Sequence, residues 1–288
     1  GGRENLRFGV PNNLLATLSK KFERTIIIDE CVDMETYHSR PDWMNADVHM
    51  VQRIVDSATD LHRRTWQLRN VPQNVRAGFP ERKGVDWLDF GISALLTVAP
   101  RSFRELWKAI RKRTAAEPVT ISHGDCRLGN CLFTSDFSDV ILTDWEVNSI
   151  TYYLWDISYC MITSFAPEDR RKYEQDIIRR YLGAIRENPA NVDVPSFKSA
   201  MELHRISGIV INYFGGLIAA FGGVGEKHGN SGNDLKSWGE KCKAAIMDAF
   251  EDEAALAKSL DVDVSSVKQF WKDFNAFSKR WQHKIGDL

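Results

Sequence analysis

The sequence predicts an α+β fold, mostly helical, organised around one short β-hairpin. Three observations predict it. Cys131-Leu132-Phe133 and Val140-Ile141-Leu142-Thr143 are short apolar runs separated by the polar stretch Thr134-Ser135-Asp136-Phe137-Ser138-Asp139, and Ser and Asp between apolar flanks are the pattern of a hairpin. Apolar residues recur elsewhere at helical spacing, as in Val48, Val51, Ile54, Val55, Ala58 and Leu61. Near the start, one β-branched run, Arg24-Thr25-Ile26-Ile27-Ile28, leads into the acidic stretch Asp29-Glu30-Cys31-Val32-Asp33. The 288 residues suffice for one large domain or two small ones.

Taken in order, the chain opens on Gly1-Gly2-Arg3-Glu4, which is polar and has no secretory signal's apolar core. Val10-Pro11 precedes an apolar segment and then the β-branched strand. Asp47 to Arg64 is an amphipathic helix ending in Leu61-His62, where His62 reads as a structural histidine. Asn70 to Gly84, with Pro72, Gly78 and Pro80, reads as a loop. Trp87 to Lys112 returns to helix, interrupted near Pro100, and Pro118 leads into a strand at Val119-Thr120-Ile121. After the hairpin, Glu168 to Leu182 is a charged amphipathic helix with Tyr173, Ile177 and Tyr181 on one side, and Val192 to Pro195 is a linker. Ile206 to Val224 is long and apolar. Because it holds Ser207, Asn212, Gly208 and the pairs Gly215-Gly216 and Gly222-Gly223, without flanking anchors, it reads as a buried helix that breaks near the Gly pairs, not as a membrane span. The terminal helices carry Trp238, Phe250, Phe270, Trp271, Phe274, Phe277 and Trp281, which at helical spacing belong to a core.

Composition excludes several classes of function. The net charge of −1, with Lys/Arg and Asp/Glu interspersed, offers no field for nucleic acid or an anionic membrane. Arg111-Lys112-Arg113 is a solvated helix end. The five cysteines, Cys31, Cys126, Cys131, Cys160 and Cys242, show no CxxC spacing, which predicts reduced thiols in a cytoplasmic protein and neither a disulfide framework nor a zinc site.

The chemistry gathers at the hairpin's base. A turn that closes symmetrically puts Asn130 opposite Thr143, so Asn130 and Asp144 fall on adjacent strands, roughly 5 Å apart in backbone. That spacing suits two oxygen ligands on one small hard cation. Magnesium takes such oxygens at about 2.0–2.1 Å and keeps waters and substrate phosphates in its other positions. Asp125, five residues before Asn130, lies in the loop entering the hairpin and is placed as a base, not a ligand.

The run His123-Gly124-Asp125-Cys126-Arg127-Leu128-Gly129-Asn130 keeps the Asp-to-Asn interval of a kinase catalytic loop, and Asp144-Trp145-Glu146 follows where a second metal-binding Asp stands. With Trp155-Asp156-Ile157-Ser158-Tyr159, these motifs resemble the aminoglycoside phosphotransferase family, the kinase-like enzymes that include choline kinases. HGD alone is a weak signal; HGDxxxxN, an apolar hairpin, DWE and a following Asp together are a strong one. Three positions depart from the related patterns. Gly124 replaces the protein-kinase Arg, Asp-Trp-Glu replaces Asp-Phe-Gly, and Thr151-Tyr152-Tyr153 occupies the place of the family's Gly-Asp-Pro turn.

The resemblance implies a protein-kinase-like fold and ATP- and magnesium-dependent transfer of the γ-phosphate to a hydroxyl of a small molecule. Asp125 would orient or deprotonate that hydroxyl, with His123 and Arg127 grouped beside it as catalytic; His123 would brace the loop, with a general-acid role as the alternative. Arg127 is left between two roles, approaching phosphate oxygens or pairing with an acid. Asn130 and Asp144 would hold the metal, Glu146 would reach the metal or acceptor pocket or make a structural pair, and Asp156 would bind the catalytic loop from behind. Ile28, Asp29, Glu30 and Cys31 are the hinge candidates for adenine, with a plain buried strand as the equal alternative. Acidic residues near the loop would favour a cationic acceptor, whereas Trp and Tyr would cage a quaternary amine. By the same likeness, residues 1–33 are a remnant of the small lobe and hinge, with Glu4 as a loose match to its helix Glu, and 34–288 form the helical large lobe. No Gly-rich phosphate loop or Lys-bearing strand precedes the hinge strand, so the small lobe is expected to be largely missing. That leaves a second reading, a non-catalytic kinase-like fragment that binds a ligand or a protein partner.

Overall fold

The structure is a computed structural model that describes residues 13–19, 24–29, 35–40, 44–81, 85, 96, 97, 99–220 and 232–285. Seven short strands are β1 (Asn13–Ser19), β2 (Arg24–Asp29), β3 (Tyr37–Ser39), β4 (Val119–Ser122), β5 (Cys131–Thr134), β6 (Val140–Leu142) and β7 (Ser149–Tyr152). They form three small antiparallel sheets, β1-β2, β3-β5-β6 and β4-β7.

The β5-β6 hairpin pairs Cys131 with Leu142, which sets Asn130 against Thr143; the Thr143 N–H donates to the Asn130 carbonyl at 2.9 Å. Its turn closes through Asp136, whose carboxylate accepts from the Ser138 N–H at 3.0 Å and from the Ser138 and Thr134 hydroxyls at 2.7 and 2.8 Å. An Asp that bonds its own turn is the reason such residues favour these positions. Residues of β5 and β6 alternate between buried and half-buried, so one face, with Cys131, Phe133, Val140 and Leu142, meets the core.

The helices are α1 (Val48–Thr65), a one-turn α2 (Gln73–Arg76), α3 (Arg101–Ala115), α4 (Trp155–Ser164), α5 (Pro167–Arg186), α6 (Phe197–Ala220), α7 (Gly232–Ala249), α8 (Glu253–Leu260) and α9 (Val264–Ile285). Asp47 caps α1 by accepting the Met50 N–H at 2.9 Å, and Val51, Ile54, Val55, Ala58 and His62 line its buried face. Pro167 opens α5, where its missing N–H costs no helical bond. Every residue of α4 is buried, a helix without a polar stripe. Helices α1, α5, α6 and α7 pack around it, so α4 is the rigid centre of the molecule.

Three expectations are refined. The segment read as a loop at 70–84 holds α2, and near its end the Pro80 carbonyl accepts the Ile150 N–H of β7 at 2.9 Å. Helix α6 runs through Gly215-Gly216 and does not break there; Gly222-Gly223 lie outside the described residues. Gly208 of α6 has its own packing reason, since a Cβ there would sit 3.2 Å from the Ala245 carbonyl oxygen of α7. The helix expected from Trp87 is present from Arg101, with Pro100 at its N-cap, and residues 86–95 lie outside the described set.

Phe103, Phe250, Phe270, Trp271 and Phe274 pack ring on ring where α3 meets α9. Trp281 lies outside the described side chains. None of the described helices is long and apolar enough to cross a membrane.

Candidate active site

The loop between β4 and β5 carries the chemistry, and α4 carries the loop. Asp156, in the first turn of α4, is fully buried and accepts four hydrogen bonds, two at each oxygen. Oδ1 takes the Ser122 hydroxyl at 2.6 Å and the Gly124 N–H at 2.9 Å; Oδ2 takes the His123 N–H at 2.7 Å and His62 Nε2 at 3.2 Å. Burial pushes this carboxyl up, but His62, His123 and Ser122 together outweigh it and hold Asp156 below the ordinary carboxylate range. Beside Asp156 the Trp155 indole donates to the Gly124 carbonyl at 2.8 Å, and at the other end of α4 the Ser164 hydroxyl accepts the Leu128 N–H at 3.1 Å. The helix therefore grips the loop at both ends. Although Tyr152 and Tyr153 replace the expected turn, they are fully buried beside β4 and leave Asp156 in reach of the loop.

Gly124 has φ +91°, a conformation that side chains resist, and a Cβ there would land on the Val147 carbonyl oxygen. Gly124→Ala is expected to cost about 1–3 kcal/mol of stability. A urea melt that superimposes on the wild type would remove this strain argument.

His123 is spent inside the protein. Its Nδ1 accepts the Asp125 N–H at 3.3 Å, so its Nε2 carries the proton and donates to the Thr143 carbonyl at 2.7 Å, while its ring packs 4.4 Å from Trp145. With both nitrogens engaged it holds the loop against the hairpin. Trp145 in turn donates to the Leu142 carbonyl at 2.8 Å, so the middle residue of Asp-Trp-Glu serves packing.

Asp125 is a quarter exposed. Arg127 Nε lies 3.1–3.2 Å from its two oxygens, and Asn130 Nδ2 donates to Oδ2 at 2.8 Å and to the Asp125 carbonyl at 2.9 Å. Of the two roles open to Arg127, the structure shows the pairing with an acid. Burial pushes the Asp125 carboxyl above its ordinary value; hydrogen bonding, from Asn130 among others, draws it back, and the charge of Asp144 adds to the rise. Asp125 and Asp144 thus stand close enough to repel.

Asp144 is exposed and, among the described residues, its carboxylate has no partner. Its backbone is left-handed, φ 62° and ψ 59°, a conformation uncommon for any residue but Gly, Asn or Asp. The Asn130 amide spends its nitrogen on Asp125, which leaves its oxygen for a cation. One free carboxylate and one amide oxygen are the hard donors that magnesium takes, and a site with two protein ligands leaves room for waters and phosphate oxygens. Glu146 is exposed and pairs with no described residue, so the structural pairing considered for it is not seen. Ile28 and Asp29 are paired into the β1-β2 ladder opposite Leu15 and Asn13; Glu30, Cys31 and Glu4 lie outside the described residues.

Sequence reasoning missed the roles of Ser122, Trp155 and Ser164, which needed the folded loop.

The ecdysteroid kinase-like family model matches residues 49–193, half of the chain, from the start of α1 past the end of α5 and across the whole loop and hairpin. The chain belongs to the ecdysteroid kinase-like family. Among solved structures, a choline/ethanolamine kinase family protein from Mesorhizobium loti aligns over 91% of this chain and 80% of its own, with TM-score 0.53 and 15% identity. A putative aminoglycoside phosphotransferase from Ralstonia eutropha aligns over 83% and 77%, with TM-score 0.48 and 14% identity. A choline kinase from Streptococcus pneumoniae aligns over 82% and 75%, with TM-score 0.46 and 13% identity. No curated protein matches the sequence. The fold of this ecdysteroid kinase-like protein is therefore protein-kinase-like, with a mostly helical large lobe.

Proposed function

We propose that the protein transfers the γ-phosphate of ATP to a hydroxyl of a small molecule. One observation carries this reading: a partly exposed carboxylate, Asp125, held by Asn130 in a loop braced by α4, stands beside the unpartnered carboxylate of Asp144. In the reaction the acceptor oxygen bonds to the γ-phosphorus, the bond from that phosphorus to the ADP oxygen breaks, and Asp125 receives the hydroxyl proton. Such a transfer depends on positioning more than on a strong base. Asn130 and Asp144 would hold magnesium, which when bound offsets the phosphate charge. Arg127, part exposed beside Asp125, is within the same site and able to turn to a phosphate oxygen.

Ile28 to Cys31 remain the proposed adenine contacts, and the division near residue 33 is supported by β3, which joins the sheet of the catalytic hairpin, whereas among the described residues β1 and β2 pair only with each other. A cytoplasmic site is supported by Cys126, Cys131, Cys160 and Cys242, all buried and unbridged. The family's name points to a steroid alcohol as one acceptor class.

The test is ATP turnover with and without magnesium against steroid alcohols, amino-sugars and choline-like alcohols. Turnover with one class supports the proposal. Neither turnover nor nucleotide binding would return the chain to the binding-protein reading.

Asp144 allows a separate test. Asp144→Gly is expected to keep or raise thermal stability, because Gly takes the left-handed conformation freely, and to abolish the magnesium dependence of nucleotide binding. Calorimetric titration of nucleotide with and without magnesium reads this directly; unchanged magnesium dependence removes Asp144 from the metal site.

A further inference from the structure

Where α5, α6 and α7 meet over α4, the helices leave a cavity of about 440 Å³, within the size range of small-molecule sites. Its floor is apolar, formed by Ile162, Gly208 and Ala245. Its walls are charged. Arg170 and His204, both more than nine-tenths buried, line it together with Glu174 and Asp248. Arg170 bridges the two carboxylates, donating to Glu174 Oε2 at 2.9 Å and to Asp248. His204 Nε2 donates to the same Glu174 oxygen at 3.3 Å, and Arg171 holds both Asp248 oxygens at 3.0 Å. Ionisable groups are seldom buried so densely, because each must be paired to offset its desolvation.

Those bonds leave three groups of the lining unspent. Glu174 Oε1 takes no hydrogen bond from the described residues, and the exposed side chains of Arg205 and Glu251 have no partner among them. One open cation and two open carboxylates therefore border a single space without neutralising one another.

We propose that this cavity binds a small zwitterion, its anionic group on Arg205 and its ammonium on Glu174 and Glu251. A ligand that is only an anion meets the three carboxylates of the lining, and one that is only a cation meets the three guanidiniums. A molecule with both charges satisfies every open group and opposes none. The site is separate from the catalytic loop. Ser158, whose hydroxyl meets His204 Nδ1 at 3.0 Å, stands two residues after Asp156 on α4 and so lies nearly opposite it around the helix.

Glycine, β-alanine, γ-aminobutyrate and ε-aminocaproate differ in the distance between their charges, and butyrate and butylammonium carry one charge each. Each is titrated into the full chain, with the Gly208 amide on the cavity floor followed by NMR. The expected result is a saturable shift with at least one of the four zwitterions and no saturation with either singly charged control. Arg205→Ala and Glu251→Gln each weaken that binding about tenfold or more, the effect of losing one hydrogen bond to a charged group. Both side chains are exposed, so neither change disturbs the packing. Failure of all four zwitterions to saturate overturns the proposal. So does a singly charged control that binds as tightly, or an affinity that neither substitution moves.

Discussion

Asp125→Ala is expected to lower turnover by about 10²–10⁴-fold while nucleotide binding is largely retained. The size follows from what the residue does in the proposed reaction: it aligns the acceptor hydroxyl and takes its proton, and no neighbour can substitute. His123 has both nitrogens engaged, and Asp144 is the candidate metal ligand. Because burial leads the causes that raise the Asp125 carboxyl, the acid limb of kcat/KM should lie above 3.8, the ordinary carboxyl value. The ionised form is required, so activity is present above that limb and lost as pH falls through it. Single-turnover kinetics with saturating ATP checks the prediction. Equal turnover in the mutant would falsify the assignment of the base.

Asp156→Ala is the second large effect, and it is one of stability. The substitution removes the acceptor of four buried donors, and each donor left unsatisfied costs about 1–3 kcal/mol. Asp156→Asn keeps the shape but offers one oxygen in place of two, so an intermediate loss is expected. The pH dependence has a fixed sign. The folded carboxyl is held below 3.8, so its stabilisation is complete above that value and is lost as pH falls through the lower folded value. Urea melts of the wild type and Asp156→Asn between neutral and strongly acidic pH check this. The wild type should lose its advantage on the acid side; a constant gap would show that the charge on Asp156 is not what stabilises the loop.

Much of the site was legible because it is local. The hairpin register follows from the length and chemistry of one turn, and the run from His123 to Asn130 fixes the interval between Asp125 and the amide that binds it. The helical face of α1 follows from spacing alone, because a helix packed on one side must be apolar on that side. Reading failed where local propensity alone was the guide. Gly215-Gly216 read as a break, but α6 stays helical through both.

By itself, then, the sequence determined the helical α+β class, the hairpin and the set of polar residues at its base, since each depends on residues within a few positions of one another. Only the tertiary structure decided how those residues are held. Asp156 and Ser164 of α4 reach the loop and His62 of α1 reaches Asp156, and no periodicity encodes which buried side chain meets which loop amide. That pairing is settled by the packing of fully buried α4 against the loop, where each polar group had to find a partner or bear the cost of desolvation.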